Sequence, residues 1–343
     1  MTTPGTESFA SPPPRFTDLP DLAAERFGGA VIAANDEFFA AKENLIKPSA
    51  PEWREGAYTE RGKWMDGWET RRRRTPGSDW AIIRLGLPGI VRGVIIDTSF
   101  FTGNFPEEAS IEACAVGGTP SSVQITNDDV SWEPMLARSP LKGNSINAFA
   151  VDSSDWRVTH LRLNIFPDGG VGRLRVHGDV VPDQRIFQPG REVDLAAMEN
   201  GGFVVSCSDM HYGHRQNLIL PGRSTHMGDG WETRRRRGGG AGHDWSIVRL
   251  ARRGAIERVE LDTDHFKGNA PGSCMLEYTD SGAAFDSQAA AWSELVPMTP
   301  LEPHTRHRWD DIATGGGMAT HVRLNIFPDG GVGRLRLFGR SEK

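Results

Sequence analysis

A glutamate and an aspartate set among arginines open the chemistry of this chain: residues 66–74 (DGWETRRRR) return unchanged at 229–237. Guanidinium groups grip a small carboxylate in a two-pronged fashion, and a neighbouring Glu or Asp can give or take a proton on whatever is held there. If residues 68–74 are extended, Glu69, Arg71 and Arg73 face one way while Trp68, Thr70, Arg72 and Arg74 face the other. Both faces then carry cations, and an unpaired guanidinium cannot be buried. The arginines must meet acidic side chains, a bound anion or solvent. A structural network of Arg with Asp and Glu is the bland reading. The unchanged acids beside the arginines favour an anion site, because a merely solvated face would tolerate Lys or Gln.

Residues 162–175 (RLNIFPDGGVGRLR) also return unchanged, at 323–336. Pro167-Asp-Gly-Gly170 is a turn by composition, with glycine free to adopt positive φ and Asp able to accept from local amides. A turn alone does not require Asn164, Asp168 and Arg173, or Asn325, Asp329 and Arg334, in both copies, and loops on rigid strands are where function concentrates. His160 and His321 begin the strand before this turn in each copy, where an imidazole could shuttle a proton or hold a substrate. A third pair of loops, 101–106 (FTGNFP) and 266–271 (FKGNAP), offers Asn104 and Asn269 as polar handles or as turn formers. His211 and His214, like His304 and His307, lie three apart, a spacing that suits metal ligands on a helix. The first copy has Phe38, Ala41, Asn144 and Asn147 there, and no helix is indicated, so no metal ligand set is expected. The dinucleotide fingerprint, P-loop, nucleophile elbow and HExxH motif are absent.

These residues need a scaffold, and the scaffold is written twice. From Asp66 to Arg162 is 96 residues and from Asp229 to Arg323 is 94, so the copies are collinear over nearly their whole length. A period of about 160 residues lies far above that of solenoids, which makes each copy a complete domain. The division expected is a disordered Pro/Ser-rich tail at 1–20, a first domain at 21–182 and a second at 183–343. Short β-branched segments such as 81–85, 93–97, 172–177 and 258–262 alternate with Gly, Pro, Asn and Asp clusters, which predicts antiparallel strands. Only 21–26 and 194–199 suggest a helical turn, each with Asp as N-cap. The fold predicted is all-β, two tandem jelly-roll β-sandwiches.

Net charge is −6, so no global positive field invites nucleic acid despite the arginine runs. No segment has the apolar length of a membrane span, and the first residues do not read as a signal peptide. Three cysteines at non-equivalent places argue against a disulfide framework and for a cytoplasmic setting.

Taken together, Asn35-Asp-Glu-Phe-Phe39, Glu43-Asn-Leu-Ile46, both DGWETRRRR motifs, the DTxxFxGNxP segments and both HxRLNIFPDGG segments resemble the allantoicase family from about residue 20 to the end. The closing RLRVxG strand is also similar to galactose-binding-type jelly rolls, a likeness that says little about chemistry. The allantoicase resemblance implies hydrolysis of allantoate, a carboxylate bearing two ureido groups, to ureidoglycolate and urea. It implies Arg71 or Arg73, or their mates Arg234 and Arg236, on the carboxylate. Glu69 or Glu232, Asp168 or Asp329, and His160 or His321 would then serve as acid and base, with Asn104, Asn164, Asn269 and Asn325 on the ureido arms. No cofactor is required, although a divalent metal is compatible with the chemistry. Arginines on two faces of one strand lead us to expect a homo-oligomer. The rival reading is a tandem carbohydrate- or small-anion-binding protein without turnover, against which stands the lack of exposed aromatic platforms outside the charged motifs.

Overall fold

The computed structural model describes residues 15–127, 129–151, 155–237, 242–282, 285–310, 312 and 317–342. The chain divides into two compact units, Met1–Val181 and Pro182–Lys343, each all-β. Residues 1–14 of the expected tail lie outside the described residues. Residues 15–20 depart from that expectation: Arg15–Asp18 form a 3-10 turn, and Phe16 is buried against Gly93, where an added Cβ would stand 2.4 Å from its ring.

Unit 1 runs β1 (Ala30–Ala34), β2 (Tyr58–Thr59), β3 (Gly62–Lys63), β4 (Trp68–Glu69), β5 (Asp79–Asp97), β6 (Glu108–Cys114), β7 (Glu133–Pro140), β8 (Ile146–Ala150), β9 (Val158–Phe166), β10 (Gly170–Val171) and β11 (Arg173–Val180). The long β5 ties the layers together. Its first half pairs with β1 and β9, its second half with β11 and β8, and the register slips between Arg84 and Gly89. Gly86 sits at this corner because the backbones of Gly29 and Phe27 approach to within 2.7 Å of where a Cβ would be. Leu22 then accepts hydrogen bonds from the amides of Gly86 and Leu87, fixing the bend. Alternating β-branched and leucine side chains of β5 and β9 point inward: Ile83, Val94, Leu161 and Leu163 are fully buried. Removing each from water contributes roughly 1.5–3 kcal/mol.

Unit 2 repeats the plan with β12 (Val193–Asp194), β13 (Phe203–Cys207), β14 (Trp231–Glu232), β15 (Asp244–Asp262), β16 (Ser273–Thr279), β17 (Ser293–Pro300), β18 (Arg306–Trp309), β19 (Ala319–Phe327), β20 (Gly331–Val332) and β21 (Arg334–Ser341). Here β15 is the bridging strand, with β13 and β19 on its first half and β18 and β21 on its second.

The two aspartates expected to cap helices do something else. The 3-10 turns start later, at Glu25–Phe27 and Met198–Asn200, with alanines at the N-cap. Asp21 instead accepts from the amides of Ala23 and Val176, and Asp194 from Ala196 and Leu337. Each carboxylate sews the entry turn to the last strand of its unit.

Candidate functional site

Three of the repeated segments meet in each unit. In unit 1, β4 pairs antiparallel with β10, Glu69 opposite Gly170 and Trp68 opposite Val171, so the DGWE segment lies alongside the PDGG turn. Trp68 is fully buried and donates its indole N–H to Asp36 O at 2.8 Å. Phe101, also fully buried, packs under Gly67 and Gly170; a Cβ at Gly170 would lie 1.9 Å from its ring, which is why glycine is required there. This carries the FTGN loop in as the third member. Asn104 accepts the Gly170 amide through its backbone carbonyl at 2.7 Å, and its side-chain amide donates to Glu69 Oε1 at 2.7 Å. Beneath, Asp66 and Arg173 form an ion pair of 2.6 Å with both side chains almost completely buried, and the guanidinium also donates to the carbonyls of Ser49, Asp66 and Gly172. Burial raises the Asp66 carboxyl, but hydrogen bonds from Arg173 and the Glu52 amide outweigh that and hold it below the ordinary carboxylate range.

Above this base, Glu69 faces a cavity of about 650 Å³ lined also by Phe39, Trp53, Lys63, Met65, Phe100, Thr102, Gly103, Asn104 and Asn144. The size suits a small organic molecule, and the mix of apolar wall with a few convergent polar groups is what such sites show. Desolvation raises the Glu69 carboxyl above the usual glutamate range, against the single opposing hydrogen bond from Asn104. A carboxyl so placed holds its proton closer to neutral pH than a solvated one and is suited to general acid work. Asn144 accepts the Phe100 amide at 2.8 Å, and Trp53 stands 6.0 Å from the Phe100 ring, which together shape the wall opposite Glu69.

The other expected residues are placed differently. Arg71 is paired with Asp36 at 2.6 Å and Arg73 with Asp79 at 2.6 Å; they border a separate hollow of about 260 Å³ with Arg72, Thr75 and Asn35. Asp168 accepts the Arg73 amide at 2.8 Å, latching the turn to the arginine run. Asn164 donates to Glu112, which also pairs with Arg162, on the outer face of β9. His160 lies six residues before Phe166 on the same strand, about 20 Å from the turn that borders the site. It is buried, hydrogen-bonded to Thr159 Oγ1 at 2.9 Å and held near pKa 4 by desolvation and by the Arg84 charge. Thus Glu69 and Asn104 come together at a cavity, whereas Arg71, Arg73, Asp168, Asn164 and His160 have other partners outside its lining. The cavity's Trp53, Lys63, Phe100, Thr102 and Asn144 were not read from sequence. For Trp53 and Lys63 the signal was a difference between the copies: 22 residues separate Asn44 from Asp66, but only 12 separate Asn217 from Asp229, whereas Phe100, Thr102 and Asn144 lie outside that stretch.

Unit 2 preserves the base and changes the rim. Asp229 pairs with Arg334 at 2.8 Å, Phe266 lies under Gly331, and Asn269 donates to Glu232 at 2.6 Å. Arg236 pairs with Asp244 at 2.6 Å, Arg234 donates through its amide to Asp209 and lies 3.0 Å from His211 Nδ1, and Asp329 accepts the Arg236 amide. Asn325 donates to Glu277, which binds Arg323, as its counterpart does in unit 1. In the aligned sequence, however, His226, His265 and His304 stand where unit 1 has Lys63, Phe100 and Asn144. His321 is stacked on Phe285 at 3.8 Å and lies in a different hollow, of about 610 Å³, with Arg249 and Arg253. Among the described residues no group of three or more His, Cys, Asp or Glu could hold a metal ion, and no helix is long and apolar enough to cross a membrane.

The buried histidines set a pH limit on stability. Desolvation first, and a neighbouring Arg second, hold both His160 and His321 at about 4, below the ordinary 6.5. The folded chain therefore binds fewer protons than the unfolded one between these values, and stability falls as pH drops from about 6.5 towards 4. The loss expected is about 1.4 kcal/mol per pH unit for each histidine, read by urea unfolding at pH 7, 6, 5 and 4. A His160→Gln/His321→Gln double variant with an undiminished slope would remove these groups as its cause.

Fold and cavity together define the class: a tandem β-sandwich protein whose loops set a carboxylic acid in a cavity of small-molecule size. A family model described as the allantoicase repeat matches residues 20–181 and again 193–342. A Pseudomonas aeruginosa protein named "Probable allantoicase" is 49% identical over 333 residues, covering 95% of this chain and 97% of its own length. The Dictyostelium discoideum protein named "Allantoicase" is 46% identical over 325 residues, covering 94% of this chain and 87% of its own. The crystal structure of allantoicase from Saccharomyces cerevisiae superposes with a TM-score of 0.78 at 36% identity, covering 93% and 92% of the two chains. This chain belongs to the allantoicase family.

Proposed function

We propose that this protein hydrolyses allantoate to ureidoglycolate and urea, a step of purine degradation, and that the reaction takes place in the Glu69 cavity of the first repeat. The observation that carries the placement is a desolvated carboxyl, held by Asn104, facing a cavity of small-molecule size. Allantoate carries a carboxylate and two ureido groups on one carbon. Protonated Glu69 donates its proton to the ureido nitrogen that leaves as urea, while the lone pair of the remaining ureido nitrogen supports the carbon as the carbon–nitrogen bond breaks. Water then adds to that carbon and returns a proton to Glu69. One C–N bond breaks, one C–O bond forms, one water is consumed and the acid is regenerated. Asn104 orients the carboxyl, and Thr102 and Asn144 supply hydrogen-bonding groups for the ureido arms. These steps use protein side chains and water alone. Incubating purified protein with allantoate, with and without EDTA, and measuring urea tests the proposal; stoichiometric urea and ureidoglycolate are expected in both buffers, and no urea in either would overturn it.

A further inference from the structure

We propose that Lys63 anchors the substrate carboxylate in this cavity, and that the hairpin carrying it confines allantoate binding to the first repeat. This deepens the reading above and rests on it. An anionic substrate needs a cation in its site, and among the ten lining residues Lys63 is the single one. Of the four arginines in the repeated motif, Arg71 is engaged on Asp36 and Arg73 on Asp79, and none of the four lines this cavity. Lys63 has no carboxylate within ion-pair distance among the described residues; its ammonium rests 4.1 Å above the ring of Trp53. A ring face attracts the ammonium without accepting all of its N–H bonds, so the group is positioned yet keeps donors for a ligand.

Lys63 ends the β2–β3 hairpin, where it pairs with Tyr58, and Thr59 Oγ1 accepts the Arg61 amide to close the turn. The following Trp64 donates its amide to Ala57 O at 2.9 Å, and Arg54 lies 4.5 Å over its ring. The hairpin and Trp53 fall within the stretch between Asn44 and Asp66, which is ten residues longer than its counterpart in the second repeat. There His226 takes the place of Lys63, while the base, Glu232 with Asn269, is unchanged. The repeats share the acid and differ in the cation. That difference assigns allantoate to the first.

Steady-state kinetics of Lys63→Met and Lys63→Arg, on allantoate and on its neutral primary amide, test this. Removing a charge-assisted hydrogen bond that is equally strong in the ground and transition states raises KM about tenfold to hundredfold with kcat little changed. Lys63→Met should show that split and lose the wild-type preference for allantoate over the amide, and Lys63→Arg should regain most of both. Unchanged KM and preference in Lys63→Met would overturn the assignment while leaving allantoate hydrolysis standing. Equal losses on the two substrates, with a lowered melting temperature, would make Lys63 a structural residue and overturn it too. Absence of urea release by the wild-type protein would instead sink the function on which the proposal rests.

Discussion

Glu69→Gln lowers kcat about 10²- to 10⁴-fold, the worth of a positioned general acid, while Glu232→Gln leaves turnover within a few-fold of wild type. The substitution keeps the size of the side chain and a hydrogen-bonding oxygen for Asn104, so the fold is preserved and the proton alone is lost. The pH profile carries the same information. Since desolvation raises the Glu69 carboxyl, the acid form persists above the ordinary glutamate range, and kcat/KM falls as pH rises through that raised value. In the Gln variant that limb disappears. Equal losses from Glu69→Gln and Glu232→Gln would mean that both repeats turn over, and the placement in the first would fail.

Asp66→Ala destabilises unit 1 by about 3–5 kcal/mol, because it leaves the Arg173 guanidinium buried without its counter-charge. For a unit of this size that is a fall in melting temperature of roughly 10 °C. The double change Asp66→Leu/Arg173→Leu removes both charges and should recover much of the loss, since an apolar pair of similar volume avoids the desolvation that the ion pair must overcome. Differential scanning calorimetry of the two variants decides. A single variant as stable as wild type would show that the pair does not hold the motifs together, and with it would go the explanation for why Asp66 and Arg173 are unchanged between repeats.

The strands were legible because their apolar residues alternate and because each was written twice; β9 lies where the RLNIF segment placed it, whereas 81–85 and 93–97, read as two short strands, are the two halves of the single long strand β5. Glu69 and Asn104 were legible for a different reason, that a repeated acid and a repeated loop amide point to a common place. The fate of the arginines was not. Arg71 finds Asp36 only after the chain has folded, since the segment around Asp36 is brought in by β1 pairing with β5; Arg73 finds Asp79 six residues on, where β5 begins. Asn164 and Arg162 share Glu112, which enters from β6 through strand pairing. His160 and Asp168 read as chemistry because they recur, yet recurrence also marks packing: one is a neutral histidine sealed under its neighbours, the other a latch on the Arg73 amide. Identity between the copies therefore reports the shared architectural base, Asp66 with Arg173 and Phe101 under Gly170. The rim that distinguishes the copies lay in what they do not share, the longer stretch before Asp66 and the exchange of Lys63 for His226.

A crystal structure of Glu69→Gln soaked with allantoate tests the placement most directly. The expected electron density lies in the first-repeat cavity, with a ureido nitrogen within hydrogen-bond reach of residue 69 and the carboxylate on Lys63. Allantoate seated instead against Arg71 and Arg73, or beside Glu232 with the Glu69 cavity holding only water, would contradict it.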